Sequence, residues 1–471
     1  MSRKFNHSVV CKALISTFFA FLAQPAVAIN LSQAYGLALE QDATFQAARA
    51  EAEARREVLP QARAQLLPNV SASLARSRNH TDRDSRNAAG NTVSDTYDYF
   101  SASYSLTLRQ PIYRKYNLAL YQQAQFDVEG AEAALEKVRQ DLIVRLAGAY
   151  FDALLAQDHL GLIQAQKVAY EVQLKGAKRS VEAGEGARTD VDDAQARYDM
   201  TLAQELEAVQ NVGYMRRQLQ VIVNQPLDDL AVLDSAKIQL QAPQPASAEE
   251  WIARGEEVNP ELRALRANIE SALQEVEKAR AGHMPTVDLI VQRSKSASEN
   301  NVSINTNYET SMFGLQASIP LFAGGYVNSQ VRQAQANVEK FRQQYEARRR
   351  EVSQQIRKEF QALLEGILKV RAFEQAERSS DQAVLSNEKG FKAGVRTQID
   401  ILNAYQQRMN ARRDLAQARY QYILARVRLQ GLVQSLDESE INVLNAWLRP
   451  AVVEGTTDLF PTHSGQQAQG R

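Results

Sequence analysis

The chain says nearly the same thing twice: its second half follows the first at an offset of 209 to 217 residues. Leu67-Pro68-Asn69-Val70 is answered by Met284-Pro285-Thr286-Val287, and Gln110-Pro111-Ile112-Tyr113 by Ile319-Pro320-Leu321-Phe322. Thr189-Asp190-Val191 and Ala194 are answered by Ile399-Asp400-Ile401 and Ala404, and Leu219-Gln220 by Leu429-Gln430. A unit this long, built twice, points to pseudo-symmetric construction and favours a structural or conduit role. It also overrides the length prior, which at about 150 residues per domain would divide the chain into roughly three.

Residues 1–28 read as a secretory signal: Arg3, Lys4 and Lys12 supply charge, Ala13 to Ala23 a short apolar core, and Ala26-Val27-Ala28 an A-x-A cleavage site. A core this short does not span a bilayer, which needs about 20 apolar residues. The only cysteine, Cys11, precedes that core, whereas a lipid-acceptor cysteine would follow it. The mature chain is therefore expected to carry no disulfide and no lipid anchor on that residue. Cleavage removes three of the 55 basic residues and leaves 52 against 55 acidic ones, a near-neutral balance that argues against nucleic acid as a partner. No later apolar run approaches membrane-helix length, so an exported chain of this kind enters a membrane, if at all, with strands.

Both halves then show the same alternation of segment types. Tyr121, Ala124, Val128, Ala131, Leu135, Val138 and Leu142 recur at alternate steps of three and four, the heptad stripe of a helix packed along a narrow seam. The second half keeps that register through Val331, Ala334, Val338, Phe341, Tyr345 and Val352, with Arg348 as the basic exception. Later steps of four act as stutters that let the helices run nearly straight. A continuous helix from about Leu118 to about Ser180 would be on the order of 90 Å long. Glycines end both long helices, at Ala183-Gly184-Glu185-Gly186 and Ala393-Gly394, and return helices run back to about Asn224 and Gln434.

Ahead of each long helix the period changes to two. Phe100, Ala102, Tyr104, Leu106 and Leu108 alternate with Ser101, Ser103, Ser105, Thr107 and Arg109. Phe313, Leu315, Ala317 and Ile319 form the corresponding face in the second half, and weaker strands begin at Pro68 and Pro285. Polar loops are expected between the strands, over His80 to Asp95 and Lys295 to Asn307. Alternation over about ten residues with aromatic ends and long polar loops is the signature of outer-membrane strands, and a soluble half-buried hairpin shares it.

The organisation expected is a signal at 1–28, a first-half helix at 29–67, a first strand pair at 68–112, and a first long helical hairpin at 113–224. A linker at 225–250 leads to a second-half helix at 251–284, a second strand pair at 285–321 and a second hairpin at 322–435, with a C-terminal segment and disordered tail at 436–471. Single-chain outer-membrane barrels begin at about eight strands, and two pairs fall short of that. Open edges cannot face lipid, so several chains must pool their strands; two copies would make a filled barrel, and three about twelve strands and room for a pore.

The doubled plan, the prolines around each strand pair, Gln110-Pro111-Ile112-Tyr113, Ile319-Pro320-Leu321-Phe322-Ala323-Gly324-Gly325 and Gly394-Val395-Arg396-Thr397 together resemble the TolC family of outer-membrane efflux and secretion ducts, over nearly the whole mature chain. The resemblance implies a mainly α fold with a small transmembrane β part: a duplicated unit of two strands plus a long helical hairpin, trimerising into a 12-stranded β-barrel continued by an α-helical barrel. It implies a homotrimer seated in outer-membrane lipid, with its helical part in the periplasm. Its partners would be a periplasmic adaptor (membrane fusion) protein and an inner-membrane ABC or other energised transporter. Lacking a lipid-acceptor cysteine, the chain looks more like the type I secretion branch than the lipid-anchored drug-efflux branch. The alternatives are a multidrug efflux channel and a soluble periplasmic coiled-coil scaffold.

In that family the periplasmic end is closed by polar links between hairpin tips and by acidic rings near the axis. By position, Arg396 matches the linking arginine and Thr189 its partner region. Asp190 matches a linking aspartate, but the tyrosine that would meet it is Phe391 here, which removes one hydrogen bond. Asp400 matches the outer constricting aspartate, and the second ring position is Asn403. Three symmetry-related carboxylates repel one another, so Asp400 is expected to titrate high and to attract cations. One ring in place of two implies weaker cation selectivity.

No P-loop, H-E-x-x-H, G-x-S-x-G or paired-cysteine motif occurs. No catalytic, cofactor or metal residue is assigned, and an enzyme is not expected. His283 reads as a helix-end residue and Arg348-Arg349-Arg350 as a solvated face.

Overall fold

The structure, a computed structural model, describes residues 28–450 apart from 228, 434, 435 and 437. Most of the expected signal, and the tail beyond residue 450, lie outside the described residues. Helices α1 (Leu31–Gln41), α2 (Ala43–Arg56) and α3 (Val58–Ala64) lead into strands β1 (Asn69–Arg86) and β2 (Thr92–Tyr113). The chain then turns into α4 (Lys115–Glu182) and returns as α5 (Arg188–Val223). After β3 (Val232–Leu233) the plan recurs as α6 (Ala248–Val258), α7 (Pro260–Arg280), β4 (Thr286–Ala297), β5 (Asn307–Ser318), α8 (Tyr326–Lys392) and α9 (Gln398–Val433). It closes with α10 (Glu438–Ala446) and β6 (Leu448–Arg449), which pairs with β3. The mainly α fold with a small β part is thus present.

Helices α4 and α8 contain 68 and 67 residues, each about 100 Å long at 1.5 Å per residue. Isolated helices gain little from propensity alone, so these persist because the heptad stripe is buried along neighbours. Both end in the same turn. Gly184 and Gly394 take positive φ of 76° and 74°, and the next N–H reaches back to close a wide loop, Glu185 to the Ser180 carbonyl and Val395 to that of Gly390, both at 2.9 Å. This is the Schellman arrangement, which glycine adopts at low cost.

One apolar core ties the two halves together midway along the long helices. Leu142, Leu146, Tyr150, Phe151 and Leu154 of α4 meet Val352, Ile356 and Phe360 of α8, Tyr422, Ile423 and Val427 of α9, and Leu31 of α1. Tyrosine hydroxyls that enter it are paired, as burial demands. The Tyr150 hydroxyl lies 3.0 Å from the Ile29 carbonyl and 2.9 Å from that of Ala231. On the α9 side, the Gln241 N–H donates to the Tyr422 hydroxyl at 3.1 Å, which itself bonds the Gln239 carbonyl at 3.1 Å.

The four main strands form one antiparallel sheet in the order β1-β2-β4-β5, so the central pair joins the two repeats. Directly opposed residues share a face. Val70, Leu108, Val291 and Phe313 lie on one rung, and Ser71 opposes Thr107 on the other face. The expected loop over His80 to Asp95 is corrected: β1 continues to Arg86, which pairs with Thr92, and residues 87–91 alone make the turn. Polar composition hid this ribbon because cross-strand hydrogen bonds hold it, Asn79 to Ser101 at 2.9 Å and Thr96 to Asp82 at 2.7 Å.

Where the sheet hands over to the helices, Asp288 of β4 is buried between Arg109 of β2 and Arg114 at the start of α4. Arg109 donates through Nε at 3.1 Å and Nη2 at 2.6 Å, and Arg114 through Nε at 2.9 Å and Nη2 at 2.6 Å. Two guanidinium forks on one carboxylate fix the angle at which α4 leaves the β2–β4 pair, since such forks are directional as well as strong. Asp288→Asn leaves both arginines without their anion and is expected to cost about 1 to 3 kcal/mol, discounted for the half exposure of Arg109. A lower thermal midpoint by circular dichroism checks this, and an unchanged midpoint would remove the clamp from the account.

Candidate functional site

The two hairpins end side by side, and the residues singled out from the sequence sit at those ends. Thr189 and Asp190 occupy the first turn of α5. Phe391 lies in the last turn of α8, half-exposed, Arg396 lies in the turn that follows, and Asp400 and Asn403 face the start of α9.

Asp400 is tied locally. Its Oδ2 accepts the Thr397 N–H and the Thr397 hydroxyl, both at 2.9 Å, while the Asp400 N–H donates back to Thr397 Oγ1 at 3.3 Å. This reciprocal box satisfies donors that a helix start leaves bare. The Thr397 backbone bond, then its hydroxyl, then the nearby Arg396 charge hold the Asp400 carboxyl below the usual carboxylate range. Cap and cation act within each chain, whereas the repulsion expected around a ring acts between chains and adds to them only in an assembly. Arg396 packs over the turn at Gly390, where a Cβ would approach the Arg396 Cγ to 2.7 Å.

Among the described residues Thr189 and Asp190 make no side-chain hydrogen bond or ion pair, and none joins them to Phe391 or Arg396. Asn403, by contrast, is engaged: Arg197 of α5 donates to its Oδ1 at 2.8 Å, across the two hairpins. Further links run parallel to it. Gln398 donates to Gln173 Oε1 at 2.7 Å, and Gln406 Oε1 accepts from Gln166 at 2.9 Å and from the Tyr170 hydroxyl at 3.0 Å. Between them Tyr170, Leu174, Ala194 and Leu402 form a small apolar knot.

Sequence reasoning missed Arg197, Gln166, Gln173 and Gln406. The available signal was glutamine and arginine at three- and four-residue steps among seam positions. On the helix pair itself, Tyr405 donates to Glu388 at 2.6 Å, which with burial pushes the Tyr405 hydroxyl up to about 12.

Above the tips an open groove of about 670 Å³ runs between α4, α5 and α9, lined by His159, Glu207, Asn211 and Arg413 among others. Burial, then the Arg413 charge, lowers the His159 pKa. Among the described residues no group of three His, Cys, Asp or Glu is placed to hold a metal ion, and no helix is long and apolar enough to cross a membrane. The arrangement is a set of polar links between helix pairs.

Comparison with known proteins gives a consistent picture. A family model described as outer membrane efflux protein matches residues 34–225 and 251–433. The alkaline protease secretion protein AprF of Pseudomonas aeruginosa is 35% identical over 435 residues, covering 92% of this chain and 90% of its own. The proteases secretion protein PrtF of Dickeya chrysanthemi is 31% identical, covering 95% and 97%. The outer membrane protein TolC of Escherichia coli is 30% identical, covering 96% and 90%. Among solved structures, CusC superposes with a TM-score of 0.74 at 15% identity over 87% of this chain and 92% of its own.

Asn403→Asp gives Arg197 a charged acceptor, and charge-assisted bonds are roughly twice as strong as neutral ones. Hydrogen exchange at the first turns of α5 and α9 is expected to slow in that variant and to quicken in Asn403→Ala. Equal exchange in both would show that this link does not hold the hairpins.

Proposed function

The chain belongs to the outer membrane efflux protein family, a TolC-like outer-membrane channel, and we propose that it is the trimeric exit duct of a type I protein-secretion complex. The observation that carries this reading is the pair of open edges in each layer. In the sheet β1 and β5 are outermost. Among the long helices α4 lies between α5 and α9, and α9 between α4 and α8, which leaves α5 and α8 outermost. Met200, Leu206 and Val221 of α5 and Leu368 of α8 are left exposed. Joining β5 to the next copy's β1, and α8 to its α5, covers both edges by one rotation. Three copies then supply about twelve strands and a wall of hairpins.

Likeness to AprF and PrtF, both named for protease secretion, favours a folded or unfolding protein as cargo over a drug. The partners that follow are a periplasmic adaptor gripping the hairpins and an inner-membrane ABC transporter supplying energy. Thr189, Asp190 and Arg396 lie at the tips, where links to neighbouring hairpins form the closed end, and Asp400 supplies the acidic ring. With Phe391 in place of a hydroxyl and Asn403 in place of a second carboxylate, this end is held by fewer bonds and is less cation-selective.

Loss of the gene is expected to abolish secretion of a substrate protein while leaving drug susceptibility unchanged; the reverse result would assign it to drug efflux. In planar bilayers, Arg396→Ser is expected to raise the conductance of the closed channel severalfold, and Asp400→Ala to weaken block by multivalent cations. Unchanged conductance and block in the two variants would exclude these residues from the gate.

A further inference from the structure

The outward face of the sheet carries a positive cluster just where its apolar band ends, below the rungs of Asp98, Asp82 and Asp84. Val70, Leu74, Leu106, Val291 and Phe313 are exposed on that face and, with the half-buried Leu108, form the band. On the same face, toward the strand-connecting turns, stand Arg76 and Arg78 of β1 and Arg293 and Lys295 of β4. One carboxylate, Glu309, shares these rungs, and it is paired with Arg293. Arg76, Arg78 and Lys295 are exposed and have no carboxylate within ion-pair distance among the described residues.

Height separates Arg76 and Arg78, at the top of the band, from Arg293 and Lys295 below it. With about 3.4 Å per residue and a tilt of about 40°, Lys295 stands about 20 Å and Phe100 about 30 Å above the rung of Val287 and Ala317, on either side of the roughly 25 Å top of an apolar band. The Arg76 and Arg78 guanidiniums lie 5.6 and 5.9 Å from the Phe100 ring centre, Arg78 directly opposite Phe100 and Arg76 one rung below. An aromatic ring at the interface holds both arginines along the wall and leaves their N–H edges free. Arg293, lower in the band, has its charge neutralised by Glu309, as a cation close to hydrocarbon requires.

We infer that Arg76, Arg78 and Lys295 form a binding site for the phosphate groups of a phosphorylated glycolipid in the outer leaflet, whose acyl chains lie on the Leu74, Tyr104 and Leu106 surface below. Guanidinium forks suit phosphate oxygens, and the apolar strip directly beneath suits lipid chains, so one amphipathic molecule satisfies both surfaces at once. A soluble anion would leave the strip bare. The inference rests on the outer-membrane placement of the sheet but not on the secretion role or the gate.

The test is native mass spectrometry of the full-length detergent-purified channel, with bisphosphorylated lipid A, its fully dephosphorylated form and inorganic phosphate as probes. The unaltered protein is expected to retain the bisphosphorylated lipid and to lose the dephosphorylated one. The triple variant Arg76→Ser, Arg78→Ser, Lys295→Ser is expected to bind roughly 100-fold more weakly. Arg83→Ser, on the opposite face, is expected to bind as the parent does. Equal retention of both lipids, equal binding by the triple variant, or full displacement by millimolar phosphate would each overturn the assignment. The lipid series on the unaltered protein decides the matter even if the triple variant fails to assemble, and unchanged single-channel conductance in that variant separates lipid binding from the duct itself.

Discussion

Backbone groups at the edge of a sheet cannot be left bare in hydrocarbon, where each unsatisfied N–H or C=O costs several kcal/mol. Every other feature of this chain answers to that constraint. Four strands make a sheet with two open edges, β1 and β5, and among the described residues no further strand covers them. The helices below inherit the same incompleteness, because α4 and α8 rise directly from the ends of β2 and β5. The apolar residues left exposed on α5 and α8 are the helical counterpart of unpaired strand edges. One assembly step answers both, which explains why the chain is built as a wall segment and not as a self-contained domain.

The duplication makes that segment economical, and the two copies have diverged where their tasks differ. Both turns at the hairpin ends keep the same glycine-closed geometry, yet their contents are unlike. The first presents Thr189 and Asp190 without side-chain partners among the described residues, while the second locks Asp400 into its own helix cap and sets Arg396 beside it. Asn403, standing where a second carboxylate is expected, accepts a hydrogen bond from Arg197 and so joins the hairpins of one subunit. An uncharged residue at this position thereby supplies a link between the helix pairs of one chain.

Much of the architecture is legible in the residues because it is periodic. The spacing from Tyr121 to Leu142 can only be a seam helix, and Phe100 to Leu108 can only be a strand with unlike faces. Legibility fails where period two carries no contrast: from Ser77 upward β1 is polar on both faces, and its pairing with β2 shows only in the cross-strand bonds. It fails again for contacts between distant residues. Arg109 and Asp288 are 179 positions apart, and Arg197 and Asn403 are 206 apart, and nothing local marks either partner.

The β1–β2 ribbon reaches well past the last rung that β4 offers it, at Ala102 and Ala297. Its upper pairs, from Ser77 with Ser101 to Arg86 with Thr92, are held only by each other. A two-stranded ribbon without a third strand is marginal in water, so this crown depends on its own cross-strand bonds. Evolution is free to lengthen, shorten or recolour it without disturbing the wall, and an engineer wishing to graft a tag visible from outside an intact bacterium would begin at residues 87–91.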